Sequence, residues 1–236
     1  MINVPNQMPY VSPSSVGVKP DARLSTAFLT QAFAWMFAGL LLTAGVSWFV
    51  TGSERALQFA SEYLLLIIIA QLALVVVISG AINKISATVA LGLFFIYAAS
   101  VGLSVGLIVH GYKDASVAQA FLSASAMFGG AAIYGAVTKR SLASRGGILT
   151  MGLIGLIAAI VINLFLRSDG LNWLISIAGI VIFTALTAYD VQRIQAGDLA
   201  ARLGSMEKAA VIGALGLYLN FLNLFLFFLR LMGGRK

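Results

Sequence analysis

Seven stretches of this chain are apolar on every face over about the length of a bilayer crossing: residues 26–50, 60–82, 86–109, 115–137, 146–166, 171–190 and 207–231. A helix needs about 20 such residues to cross roughly 30 Å of hydrocarbon. None of the seven shows the period-two alternation of a barrel strand, so the pattern predicts an all-α membrane protein with seven transmembrane helices. Residues 26–236 are then a single seven-helix transmembrane domain with almost no room for a soluble one. Residues 1–25, with Pro5, Pro9, Pro13 and Pro20, read as a polar tail. That tail lacks the apolar core and cleavage site of a secretory signal. No repeat of fixed period is visible, and an odd number of spans argues against two equal halves.

Composition agrees with the pattern. Hydrophobic residues make up 60% of the chain and charged ones 10%, far outside the range of soluble domains. The basic residues set an orientation. With a cytoplasmic N-terminus the inner segments hold Lys19, Arg23, Lys84, Lys139, Arg140, Arg145, Arg193, Arg202 and Lys208. The outer segments hold Arg55, Lys113, Arg167, Arg230, Arg235 and Lys236, so the bias favours this topology. The net charge of +7 is largely these flanking anchors, which implies contact with lipid headgroups and gives no indication of nucleic acid. With no cysteine and one histidine, a disulfide framework is excluded and no zinc or iron–sulfur site is expected. His110 falls at the outer end of the third span, as a solvated interfacial residue.

Of the eight acids, seven have ordinary explanations. Asp21 is in the tail, Glu54 and Asp169 in outer loops, and Asp198 in the loop before the seventh span. Glu62 and Glu207 fall in first turns, where the helix dipole favours them, and Asp114 is placed to cap the fourth span. Asp190 is different. It closes the sixth apolar run, where a carboxylate opposes the helix dipole and, near hydrocarbon, carries a solvation cost of about 2.5–3.5 kcal/mol on insertion scales. Its plainest partner is Arg193 at i+3. Thr184 and Thr187 share its face and either line a polar seam or bond their own backbone.

The seventh span carries a matching stripe. Gly213, Gly216, Asn220 and Asn223 recur at i, i+3, i+7 and i+10 on a helix otherwise built of Leu, Phe and Ile. Such a helix is best placed in the middle of the bundle. Asn220 reads equally as glue or site lining, and Asn223 as interhelical glue or pore lining. Gly102 and Gly106 form a packing motif, and Gln31, Gln71 and Asn163 are polar residues at membrane depth. Lys84 is a snorkelling anchor on the same side as Asp190, which also makes it a candidate latch partner.

The segments TAYDVQ at 187–192 and GALGLYLNFLNLFLFFLRLMG at 213–233 closely resemble the paired signature of the Bax inhibitor-1, or transmembrane Bax inhibitor motif, family in its bacterial branch. The likeness extends to AQLALVVVISGAINKIS in the second span and GAAIYGAVTKRSL after the fourth. The resemblance implies seven helices with the last one central, enclosed by two three-helix layers, in a multi-pass protein of the cell inner membrane. It implies a pH-sensitive calcium-leak channel, with calcium as permeant ion and no tightly bound cofactor. It also implies that Asp190 pairs near the cytoplasmic mouth with an aspartate of an LYLDF motif. Here Asn220 stands at that second position. Two touching carboxylates share a proton and titrate as one unit, and an amide in place of one removes their repulsion. The expected latch is therefore Asp190 with Asn220, with a weakened or shifted pH response. Lys84, Thr187, Arg193 and Asn223 are further candidates for latch or pore lining.

Calcium prefers six to eight oxygen ligands with several carboxylates. Asp190 alone offers a weak metal contact, which suits a leak, since a permeant ion must leave as readily as it enters. Two other readings stay open: a proton-coupled transporter of an ion or small solute, since a lone intramembrane acid also carries protons, and a regulatory protein that binds other membrane proteins. An enzyme is not expected. An aspartyl protease needs a second intramembrane carboxylate, and His110 lies at the wrong face to serve a serine.

Overall fold

The computed structural model describes residues 22–234 and Lys236, with side chains from Thr26 onward. The expected tail therefore lies outside the described residues, save for its last four positions, whose backbone already belongs to the first helix. The helices are α1 (Ala22–Thr51), α2 (Glu54–Glu62), α3 (Leu64–Ala81), α4 (Ala87–His110), α5 (Asp114–Val137), α6 (Gly146–Leu166), α7 (Asp169–Gln195), α8 (Asp198–Leu203) and α9 (Met206–Met232). Seven of them, all but α2 and α8, are long and apolar enough to cross a membrane.

The second predicted run is two elements. The chain leaves the helical region at Tyr63 (φ −100°, ψ 13°), which separates the short amphipathic α2 from α3. Glu62 therefore ends α2 instead of opening a span, and Glu54, expected in a loop, lies in the first turn of α2 behind the cap Ser53. Asp169 likewise opens α7. Asp114 is the first residue of α5 and not its cap, which is Lys113, and its carboxylate pairs with Lys236 at 3.5 Å. Asp198 is buried in the first turn of α8, a helix bounded by Gly197 and Gly204 at φ 72° and 61°. A side chain at either glycine would meet the left-handed penalty, so these two positions define the helix.

α9 is the innermost helix. It packs against α1 and α4 on one side and α5 and α7 on the other. α3 lies outside against α4 and α6 outside against α7, which gives two three-helix layers around α9. Within the apolar stretch of α9, 67% of residues are buried, against 6% in α3 and in α6. The exposed Leu65, Leu72, Val76, Met151 and Leu164 of those two helices form a surface suited to hydrocarbon.

Close approach is set by small residues. A Cβ on Gly102 would lie 2.6 Å from Val46 Cβ and one on Gly106 2.7 Å from Val50 Cβ, so this pair seats α1 on α4. Ridges of one helix can enter the grooves of the other only because those side chains are missing. Polar groups are satisfied within the bundle, as hydrocarbon demands. Among the described residues no buried side-chain nitrogen or oxygen lacks a partner. Gln71 of α3 donates to Ser100 O (2.9 Å) and Ser104 Oγ (2.8 Å) of α4, while Asn163 accepts from the Ser168 amide at the end of α6. Gln31 is exposed.

Candidate functional site

Asp190 does not end its helix. α7 continues five residues further to Gln195, about 8 Å, while α9 starts fourteen residues before Asn220, about 21 Å away. With α8 packed against the first turns of α9, these unequal extensions bring a residue near the end of one span level with a residue halfway along another. Asn220 Nδ2 donates to Asp190 Oδ2 at 2.7 Å. This is a charge-assisted bond when the acid is ionised, joining the central helix to one wall.

The local sequence explains the approach. A Cβ on Gly216 would lie 3.5 Å from Asp190 Oδ2, and one on Gly213 would lie 3.0 Å from Ile194 of α7. The stripe of small and polar residues on α9 is therefore its α7-facing side. Asn220 is 5% exposed and Asp190 partly buried. Beside them lies a cavity of about 180 Å³, lined by Asp190, Arg193 and Leu199 and, from α9, Gly213, Gly216 and Leu219. Ser79, near the end of α3, also lines it, a residue that no sequence motif singled out.

The other candidates divide. Arg193 shares the cavity with Asp190, but no ion pair joins the two. Thr184 and Thr187 donate to the carbonyls of Ile180 (2.6 Å) and Phe183 (2.7 Å) one turn back, so neither lines an open seam. Asn223 does the same, donating to Leu219 O at 2.8 Å, so it is not interhelical glue. Lys84 stays exposed in the α3–α4 turn and is not brought to Asp190. The lysine that ties this turn to α9 is Lys208, whose Nζ donates to Asn83 O at 3.4 Å. Among the described residues no three His, Cys, Asp or Glu side chains converge.

Two further polar nodes hold the site in place. Gln192, two residues beyond Asp190 on α7, accepts the Leu142 amide at 2.7 Å and donates to Arg140 O at 2.9 Å, clasping the α5–α6 loop to α7. Tyr218 is fully buried in the centre of α9, with its hydroxyl 2.6 Å from Thr43 Oγ1 of α1. Thr43 has one proton and faces two carbonyls, Ala98 O of α4 (2.8 Å) and Gly39 O (3.0 Å). Tyr218 must therefore be the donor to Thr43. Only its place in the LYLN segment marked it in the sequence. Asn220 and Tyr218, two residues apart, thus anchor α9 to α7 on one side and to α1 and α4 on the other.

Comparison with known proteins supplies the kinship. The chain is 41% identical over 227 residues to the inner membrane protein YbhL of Escherichia coli, covering 93% of this chain and 96% of that one. It is 40% identical over 223 residues to an uncharacterized protein of Borreliella burgdorferi (92% and 96%). It is also 38% identical over 209 residues to one of Deinococcus radiodurans (88% and 90%). The family model described as inhibitor of apoptosis-promoting Bax1 matches residues 25–236. A seven-span bundle wound around α9, with that match running from the start of the first span to the last residue, makes this chain a member of the Bax inhibitor-1 family.

Proposed function

We propose that this protein is a pH-sensitive leak pathway for calcium, latched where Asp190 meets Asn220. The observation that carries the reading is the 2.7 Å bond from the Asn220 amide to the Asp190 carboxylate. It is a single titratable contact joining the central helix to its wall beside a cavity. The ionised carboxylate accepts the amide proton strongly, and protonation removes the charge that strengthens the bond. Arg193 is the charged neighbour that Asp190 shares the cavity with. The latch is therefore closed while Asp190 is ionised and loosened as it takes up a proton, so flux rises as pH falls. Calcium passes Asp190 as a weak, transient contact, because one carboxylate cannot complete its oxygen shell.

The bias of basic residues places the Asp190 end toward the cytoplasm. The Escherichia coli relative, an inner membrane protein by name, supports an inner-membrane location. The test is calcium efflux from proteoliposomes across a pH series, with the chain as it stands and with Asp190→Asn and Asn220→Asp. Asp190→Asn should abolish the pH response, and Asn220→Asp should steepen it by restoring two carboxylates that share a proton. A parental pH profile retained by Asp190→Asn refutes the assignment. Efflux that saturates and follows an imposed proton gradient would make the protein a coupled transporter instead.

A further inference from the structure

At the end of the bundle opposite Asp190 a second and larger cavity, about 720 Å³, lies between α1, α4, α5 and α9. α1 and α5 meet in the other half of the bundle, where Phe33 and Phe128 stack edge to face. Here the wall is formed by Leu40 and Ala44 of α1, Ala118 and Phe121 of α5, and Leu222 and Phe225 of α9. Trp48, at 81% exposed, and Phe121, at 50%, stand on its rim and on the lipid-facing surface, so the cleft opens sideways toward hydrocarbon. Its size is that of a site for a molecule of drug or lipid-chain dimensions.

Polarity runs along the cleft. Its deep part is apolar save for Thr43, whose hydroxyl is already bonded to Ala98 O and Tyr218, and its mouth carries His110, Asp114 and Lys236. Lys236 is held there by a clasp: its amide donates to Gly111 O (3.1 Å), the Lys113 amide donates to Gly234 O (3.0 Å), and the Gly234 amide donates to Ser116 Oγ (3.0 Å). The Lys236–Asp114 pair at the mouth is 3.5 Å apart with side chains 52% and 97% exposed, and so wet a pair holds itself only weakly. About 6 Å deeper than Thr51 by helix rise, Ser47 lines the cleft. A cation and an anion side by side at the mouth, one hydroxyl a turn below, and apolar walls beneath match a zwitterionic headgroup, an ester and a hydrocarbon chain in that order.

We propose that this cleft holds one bilayer phospholipid with a primary-amine headgroup. Its phosphate lies at Lys236, its ammonium at Asp114, an ester oxygen at Ser47, and one acyl chain along Phe121, Leu222 and Phe225. An anionic headgroup without an amine would leave Asp114 facing negative charge. The site holds whether or not the chain conducts ions.

The test uses the full chain in vesicles of equal phosphatidylethanolamine and phosphatidylglycerol, extracted in mild detergent and weighed intact by native mass spectrometry. One phosphatidylethanolamine per chain should survive extraction. Ala118→Trp, which fills the cleft, should lower that retention at least tenfold. Asp114→Asn, at a surface position 97% exposed, should reduce the preference for ethanolamine over glycerol headgroups several-fold, while Lys236→Ala should lower retention of both lipids. The assignment is overturned by no lipid retained, by phosphatidylglycerol retained in preference, or by a headgroup preference unmoved in Asp114→Asn. Full retention in a folded Ala118→Trp overturns it equally.

Discussion

The hydrogen bond between Thr43 and Tyr218 makes an asymmetric prediction. Tyr218 has 0% exposure, its ring packs edge to face on Phe94 at 5.6 Å and Tyr97 at 5.8 Å, and its hydroxyl proton goes to Thr43. Tyr218→Phe removes one interhelical hydrogen bond and leaves Thr43 still donating to a carbonyl, so the loss should be about 0.6–1.7 kcal/mol, the range for such bonds inside membranes. Thr43→Val is nearly isosteric but strands the Tyr218 hydroxyl in the bundle centre. A buried donor without a partner costs about 1–3 kcal/mol in addition to the bond itself. The Ala98 and Gly39 carbonyls lose little, because both lie inside helices that already use them. Thr43→Val should therefore be the more destabilising change, by about 1 kcal/mol or more, and Tyr218→Phe should rescue most of that loss in the double variant. The measurement is a double-mutant cycle, with unfolding followed by steric trapping in bicelles. Equal losses from the two single changes, or strict additivity in the double variant, would refute the proton assignment and the role of this node.

Other sites give equally direct expectations. A Cβ on Gly135 would overlap the Ala188 carbonyl, so Gly135→Ala should push α5 from α7 and cost about 1–3 kcal/mol; an unfolding free energy within 0.5 kcal/mol of the parent would contradict this packing. Gln71 supplies two hydrogen bonds that seat the otherwise lipid-exposed α3, so Gln71→Leu should loosen its hold on α4. With no native cysteine in the chain, an Ile78→Cys probe at a fully buried position of α3 can report it, and its labelling rate should rise several-fold in the Gln71→Leu background. Gln192→Leu should free the α5–α6 loop, read as faster proteolysis between Thr138 and Arg145 with the spans intact.

Much of this protein is written in its linear pattern. Seven runs of apolar residues admit no structure but spanning helices, because hydrocarbon offers no partner to an unpaired backbone group. The central place of α9 was legible too, since a helix apolar all round with one stripe of small residues is suited to neighbours on every side. Asp190 and Asn220 each stood out as polar groups at membrane depth, and the family signature linked them. What composition could not show was how individual polar groups settle their hydrogen bonds. Thr184, Thr187 and Asn223 satisfy themselves on their own helices, while Gln71 and Tyr218 reach across to others. Both outcomes obey the same rule, and only the distance to the nearest carbonyl decides between them. The break at Tyr63 was hidden because an apolar window runs through it, and α8 because six residues between two glycines carry too little periodicity to declare a helix. The sequence by itself determined that seven helices must cross and which one the others surround, since burial in lipid is a property of each segment alone. The tertiary structure decided that Asp190 faces Asn220 and not Arg193 or Lys84, and that α1 and α5 part to leave a cleft. Those are matters of how far two helix ends extend past each other and where a missing Cβ lets them touch.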